Sequence, residues 1–404
     1  MNELINTSNR LINSVKMDFI RSIYYEIDWS GRLIWIVWQR WVWKTTILLQ
    51  YLKNLDKNKK LYFSADDIAI LNDWLIKTVS NFYINENIKI FAIDEIHKYK
   101  NWNQELKNIY DSFPDIRVIF SWSSSIDLIK WKYDLSRRVN LIKMQGFSFR
   151  EYINKVKWLN LQKISLEQII KNNEINDIYK IVWDEIIYLF KNYLKSWYYP
   201  FTFESEYSEV YFNKIWWIID KLIYEDIANF YSLDTANLEK FKYIIMFFAF
   251  SSPWELSINS LKNKLSIAYD TTVNYLQILN EIWIIKSIFA DWVISKMVRK
   301  ANKLYLDNSN VIYYFNNSIW KQVEIWTIRE IFFVNQVNYK NSLFYSENWD
   351  FMSYISWEKY YFEVWWKNKK QTQIKNLKNA FVVKDDFILP VWNQIPLWIF
   401  WFLY

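Results

Sequence analysis

The sequence predicts an α/β fold: a parallel sheet covered by helices, followed by a helical lid, a winged helix and a small α+β C-terminal domain. Three observations predict it. Short apolar runs rich in β-branched residues alternate with helical stretches from Arg32 to Ser121. From about Ser148 to Phe250 the period lengthens to that of helices, with many Tyr, Ile and Lys. Between 301 and 404 short strands return around one long helix. A chain of 404 residues is long enough for several cores.

The elements follow in order. Apolar residues at Leu4, Leu11, Ile12, Val15, Phe19 and Ile23 predict a helix over 3–27. Arg32–Val37 reads as a strand, followed by a turn and a helix from Lys44 to Leu55. Lys60–Ser64 and Ile88–Ile93 read as strands, Asn103–Ser112 as a helix and Arg117–Ser121 as a strand. Right-handed crossovers in such an order bring the strand ends, and any ligand, to one edge. Leu256–Leu265 and Asp270–Ile282 are two short helices, and the runs Ile284–Phe289 and Val293–Met297 make a hairpin after them. Helix, helix and hairpin describe a winged helix. The long helix of the last region lies near Gln322–Tyr339. The expected divisions are 1–30 (helix and lead-in), 31–155 (core), 156–250 (lid), 251–300 (winged helix) and 301–404 (C-terminal domain).

Composition carries an anomaly. The chain has 26 Trp and 2 Gly. Counted together they equal an ordinary glycine share of about 7%. Positions at φ > 0 need Gly, and Trp is among the poorest replacements there. The Ile-, Asn- and Lys-rich background suits an AT-rich genome, in which UGA read as glycine would be rendered as tryptophan. Most Trp here are therefore expected to stand for Gly. The net charge of +7 permits contact with DNA without requiring it. Absence of Cys excludes disulfides and thiolate metal sites, and a single His (His97) excludes a His-rich one. Met1–Arg10 lacks a signal-peptide core, and no run of about 18 uncharged apolar residues occurs. A cytoplasmic protein without membrane contact is expected.

The chemistry-bearing segments lie where strands end. Trp38-Gln39-Arg40-Trp41-Val42-Trp43-Lys44-Thr45-Thr46 follows a strand and opens a helix. With glycine at 38, 41 and 43 it satisfies G-x-x-x-x-G-K-[ST], the phosphate loop of P-loop NTPases. Backbone N–H groups must curl around a phosphate there with no Cβ in the way. Lys44 would reach the β- and γ-phosphates of ATP, and the Thr45 hydroxyl would ligate Mg²⁺. Ile90–Asp94 is an apolar run ending in Asp94-Glu95. Asp94 would orient Mg²⁺ and Glu95 would activate water. His97 reads as a surface residue. Phe120-Ser121-Trp122-Ser123 follows the next strand. Ser123 is the candidate sensor of the γ-phosphate, with a helix N-cap as the competing reading. Arg137-Arg138 is either an arginine finger, acting across a homo-oligomeric interface, or a solvated basic pair.

Together these segments resemble prokaryotic AAA-type ATPases in which the ATPase domain precedes a winged helix and a restriction-endonuclease-like domain. Further stretches carry the resemblance: Asp28–Ile34, Tyr99–Lys107, Gly146–Tyr152, Tyr269–Leu276 and Ile395–Tyr404. They cover nearly the whole chain. The resemblance marks Trp29, Trp102 and Trp398 as genuine tryptophans. It also implies a second site at Glu330, Asp350, Glu363 and Lys367, with carboxylates to hold Mg²⁺ and a Lys near the attacking water. Three residues separate Glu363 from Lys367 where that fold usually has one, which favours a contact domain over a nuclease. The expected function is ATP hydrolysis driving conformational change. A nucleotide-gated DNA-binding module and a Mg²⁺-dependent nuclease are the alternatives.

Overall fold

Five parallel strands organise the first part of the chain: β1 (Leu33–Val37), β2 (Lys60–Ser64), β3 (Ile90–Asp94), β4 (Arg117–Trp122) and β5 (Asn140–Lys143). Their order in the sheet is β2-β3-β4-β1-β5, and each neighbouring pair is parallel. The structure, a computed structural model, describes residues 2–37, 41–56, 59–71, 73–122, 135, 137–171, 185–203, 209–231, 233–251, 258–291, 303–346, 348–364, 379–385 and 387–404. All five residues of β1 are buried. A strand covered on both faces reads as an unbroken apolar run, which is why β1 was legible from its sequence.

Helices α1 (Asn2–Ser14), α2 (Lys44–Lys53), α3 (Leu75–Glu86) and α4 (Trp102–Ser112) accompany this sheet. Ile47, Leu48 and Leu52 of α2 are buried, as are Phe91 and Ile93 of β3 and Ile119 and Phe120 of β4. The helix expected over 3–27 stops at Ser14. Side chains of α2 take carbonyls at and just beyond its end. Lys53 Nζ donates to the Asn13 and Val15 oxygens at 2.9 and 2.7 Å. Gln50 Nε2 donates to the Lys16 and Phe19 oxygens at 2.9 and 2.8 Å. Helix α3 and strand β5 were not anticipated. The edge strand β5 has no buried residue, so it lacks the apolar signature.

The chain folds as two units, Met1–Gly146 and Phe147–Tyr404. The second unit begins with helices, among them Phe149–Lys157, Ile186–Ser196, Glu209–Lys221 and Thr235–Phe250. Ser148 opens the first of these with a capping box, exchanging bonds with Glu151. Helices Ile258–Leu265 and Tyr269–Glu281 lead into β6 (Ile285–Ile288). Its antiparallel partner is β7 (Lys303–Leu306). The hairpin arm expected at Val293–Met297 lies outside the described residues.

A mixed sheet follows, built from β8 (Leu343–Tyr345), β9 (Phe351–Ile355), β10 (Glu358–Val364), β11 (Ala380–Lys384) and β12 (Gln394–Pro396). They lie in the order β12-β11-β10-β9-β8. Helix Ile325–Val337 packs on it through Phe333, whose ring meets Phe351, Phe362 and Phe400 at centroid distances of 5.4, 5.4 and 4.9 Å. A buried polar hub joins the elements of this unit. Asp307 accepts from the Tyr198 hydroxyl at 2.6 Å and from Asn335 Nδ2 at 3.2 Å, and Lys286 Nζ lies 3.3 Å away. Burial lowers the Lys286 pKa.

Candidate nucleotide site

The loop between β1 and α2 turns through two left-handed residues, Trp41 at φ 68° and Trp43 at φ 71°. Side chains with a Cβ are disfavoured there, and glycine is not. The turn leads directly into α2, whose N-terminus carries the positive end of the helix dipole. Lys44 is the first residue of α2 and is buried. Val42 is buried too, and its carbonyl accepts from Arg21 Nη1 at 3.1 Å. Arg21 also donates through Nη2 to the Gln145 and Gly146 oxygens at 3.0 and 2.8 Å. One buried guanidinium thus ties the loop to the chain after β5. Sequence reasoning missed Arg21, because carbonyl acceptors leave no pattern in the residues. Trp38, Gln39 and Arg40 lie outside the described residues.

Asp94 ends β3 and sits between two neighbouring strands. Thr45 Oγ1 and the Tyr62 hydroxyl both donate to its Oδ2, the latter at 3.2 Å. Ser121 Oγ and the Glu95 amide donate to Oδ1, the amide at 3.1 Å. Because β2, β3 and β4 are adjacent, Tyr62 and Ser121 reach the same carboxylate from opposite sides. Burial raises the Asp94 pKa and the Glu95 carboxylate adds to it, against the pull of Ser121, Thr45 and Lys44. Burial also raises the Tyr62 pKa, so its hydroxyl stays a donor. Thr45 and Asp94 supply hydroxyl and carboxylate oxygens, the hard donor set that suits Mg²⁺.

Glu95 has φ 48° and lies half-buried next to this cluster. His97 Nδ1 is 3.3 Å from Glu95 Oε2, and the His97 ring stacks on Trp122 at 5.2 Å. His97 is therefore half-buried beside a candidate catalytic carboxylate, not on the open surface as expected. Tyr62 and Ser121 were also missed as partners of Asp94. Each stands in an apolar run where it reads as ordinary strand sequence. Arg138 pairs with Asp111 of α4, Nε to Oδ1 at 3.0 Å and Nη2 to Oδ2 at 3.2 Å. Arg137 is exposed. Ser123 lies outside the described residues.

The C-terminal carboxylates gather around a different lysine from the expected one. Asp350 stands just before β9, and Lys303 Nζ of β7 lies 3.2 Å from its Oδ1. The Asp350 amide donates to Glu363 Oε2 at 3.2 Å, and the Val364 amide donates to Asp350 Oδ2 at 3.0 Å. The Tyr305 hydroxyl donates to Glu330 Oε2 at 2.6 Å. Burial pushes the Glu330 pKa up to about 7, with Lys303 pulling against it and Asp350 and Glu363 adding to it. Lys367 lies outside the described residues. Among the described residues no group of three or more His, Cys, Asp or Glu side chains is arranged to hold a metal ion. No helix among them is long and apolar enough to cross a membrane.

An uncharacterized protein of Methanocaldococcus jannaschii is 31% identical over 295 residues, which is 70% of this chain. The chain spans 61% of that relative's length. Among solved structures, AMPPCP-bound DnaA from Aquifex aeolicus aligns over 70% of this chain and 89% of its own, at 13% identity and a TM-score of 0.26. A Drosophila ORC complex bound to AT-rich DNA and Cdc6 aligns over 80% and 97%, at 9% identity and a TM-score of 0.23. The β2-β3-β4-β1-β5 sheet with its covering helices is an α/β fold, and residues 30–153, which hold the loop between β1 and α2 and Asp94-Glu95, match the AAA domain family.

Proposed function

We propose that this chain binds ATP with Mg²⁺ and hydrolyses it. The carrying observation is the joining of Thr45 to Asp94 at the end of a loop whose residues 41 and 43 are left-handed. That backbone suits a phosphate cradle only if the residues there lack a Cβ. The proposal therefore includes glycine at positions 41 and 43, and, from motif spacing alone, at 38, 122, 365 and 366.

In this reading Lys44 neutralises the β- and γ-phosphates, and the α2 N–H groups bind their oxygens. Thr45 and Asp94 would hold Mg²⁺, which when bound would supply positive charge beside the phosphates. Tyr62 and Ser121 keep the Asp94 carboxylate aimed at the loop. Glu95 accepts the proton of the attacking water, with His97 beside it fixing its rotamer. Ser123 senses the γ-phosphate. Arg138, with Arg137 next to it, leaves Asp111 to serve a neighbouring subunit's nucleotide. Hydrolysis then drives motion in the second unit. Within that unit the helix pair ending at Glu281, followed by β6 and β7, is read as a winged helix suited to DNA. The carboxylate group around Lys303 is read as part of a contact domain, and the chain as cytoplasmic.

The test uses protein made with glycine at the named positions. ATP–Mg²⁺ binding followed by calorimetry should be present, and Lys44→Ala should abolish it. Binding that survives Lys44→Ala would overturn the assignment of the loop. Should Glu95→Gln leave a residual slow turnover unchanged, the nucleotide-gated DNA-binding reading would replace the hydrolase.

A further inference from the structure

We infer that the expressed protein carries glycine at five further positions that read as tryptophan, 158, 283, 320, 357 and 392, and keeps tryptophan at 29 and 102. The inference shares the coding idea used for the phosphate loop. It rests, however, on backbone geometry outside that loop.

Three of the five close helices. Trp158, Trp283 and Trp320 have φ of 55°, 60° and 56°. At each, the next residue's amide reaches back over the left-handed residue to the carbonyl five positions earlier. Leu159 donates to the Asn154 oxygen at 3.1 Å, Ile284 to Leu279 at 3.0 Å and Lys321 to Asn316 at 2.9 Å. Trp283 and Trp320 add the inner bond, to Asn280 at 3.1 Å and Asn317 at 3.2 Å. This is the Schellman closure, whose left-handed position is usually glycine because a Cβ there meets the backbone.

The other two make hairpin turns. Ile355 pairs with Glu358, so Ser356 and Trp357 form a two-residue loop, with φ of 49° and 70°. Two left-handed residues define a type I′ turn, and its second position is where glycine is strongly preferred. Val391 and Gln394 exchange both amide bonds, at 3.0 and 2.9 Å, around Trp392 and Asn393. Trp392 has φ 56° at the first central position, which also favours glycine.

Side-chain surroundings point the same way. Trp320, Trp357 and Trp392 are 94%, 99% and 98% exposed, so their rings gain no packing to offset the backbone. Neither glycine in the sequence sits at positive φ among the described residues. Trp29, by contrast, stacks on Tyr51 at 4.0 Å and donates through Nε1 to the Tyr24 oxygen at 2.9 Å. Trp102 is buried at the start of α4 with its ring against Trp35 and Phe120. These two indoles have work that a glycine would leave undone.

The experiment is peptide sequencing by mass spectrometry on protein isolated from its natural source, read beside the codons of its gene. Glycine at all five positions with tryptophan at 29 and 102 is the expected result, with UGA at the five and UGG at the two. Tryptophan at the five turns with glycine at 41 and 43 overturns this inference and leaves the phosphate loop reading intact. Tryptophan at 41 and 43 as well overturns both. Glycine at 29 or 102 overturns the sorting by ring contacts.

Discussion

Tyr62→Phe probes the clamp on Asp94 most directly. The substitution removes one hydroxyl and keeps the ring, so it opens no cavity. What is lost is one donor to a buried carboxylate that has three others. A hydrogen bond to a charged group contributes about 1.5–3 kcal/mol. At 3.2 Å this one is long for a hydroxyl on a carboxylate, and Thr45 shares the same oxygen. The expected loss of unfolding free energy is therefore at the lower end, about 1.5 kcal/mol. Ser121→Ala should cost more, about 2–3 kcal/mol, because Ser121 Oγ also accepts from the Glu95 amide at 3.2 Å. The assay is urea unfolding of the glycine-bearing protein without nucleotide. Both donors serve one carboxylate, so the double variant should depart from additivity by about 0.5 kcal/mol or more. A loss below about 0.5 kcal/mol for Tyr62→Phe, or strict additivity, would refute the clamp.

Other outcomes follow from the same geometry. Glu95→Gln should lower ATP turnover by about 10²–10⁴-fold with nucleotide affinity nearly unchanged, as read by steady-state ATPase assay and calorimetry. Arg138→Ala should cost about 10³-fold or more in turnover if it acts as a finger, and mixing it with the Lys44→Ala variant should restore activity. A dead mixture of variants that still associate would mean that Arg138 only pairs with Asp111. Glu330 is a buried acid held near 7, above its ordinary 4.5, so its contribution is full below about 4.5 and lost as pH rises through about 7. The second unit should thus lose on the order of 3 kcal/mol over that window. Glu330→Gln should flatten the dependence of Tm on pH, and an unchanged slope would show that another group titrates.

Much of the first unit was legible because its strands are buried on both faces. β1 and all of β3 before Asp94 are apolar, and such runs announce themselves. Edge strand β5 did not, since nothing covers it enough to constrain its residues. Helix α1 was overextended because Val15, Phe19 and Ile23 continue the apolar spacing, whereas α2 side chains claim the carbonyls beyond Ser14. Thr45 and Asp94 could be singled out from spacing alone. Tyr62 and Ser121 could not, because their contact with Asp94 depends on β2 and β4 being the neighbours of β3. Lys303 was invisible for the same reason: it approaches Asp350 across 47 residues of chain.

The glycine deficit and the backbone angles bear on the glycine proposal from two sides. The first is a count over the whole sequence. The second asks where the folded chain must turn left-handed, and Trp41, Trp43, Trp158, Trp283, Trp320, Trp357 and Trp392 all do. A left-handed residue bearing a Cβ costs about 1–2 kcal/mol. Seven such costs would come to roughly 7–14 kcal/mol, as large as the whole stability of a typical domain, about 5–15 kcal/mol. The neighbouring residues nevertheless dictate those turns, through helix-closing bonds, two-residue hairpins and the strand-to-helix loop. A chain so consistent everywhere else would not place its bulkiest side chain at the conformations least able to hold it. The conflict disappears if these positions lack a Cβ, and the proposed phosphate cradle would open by the same change.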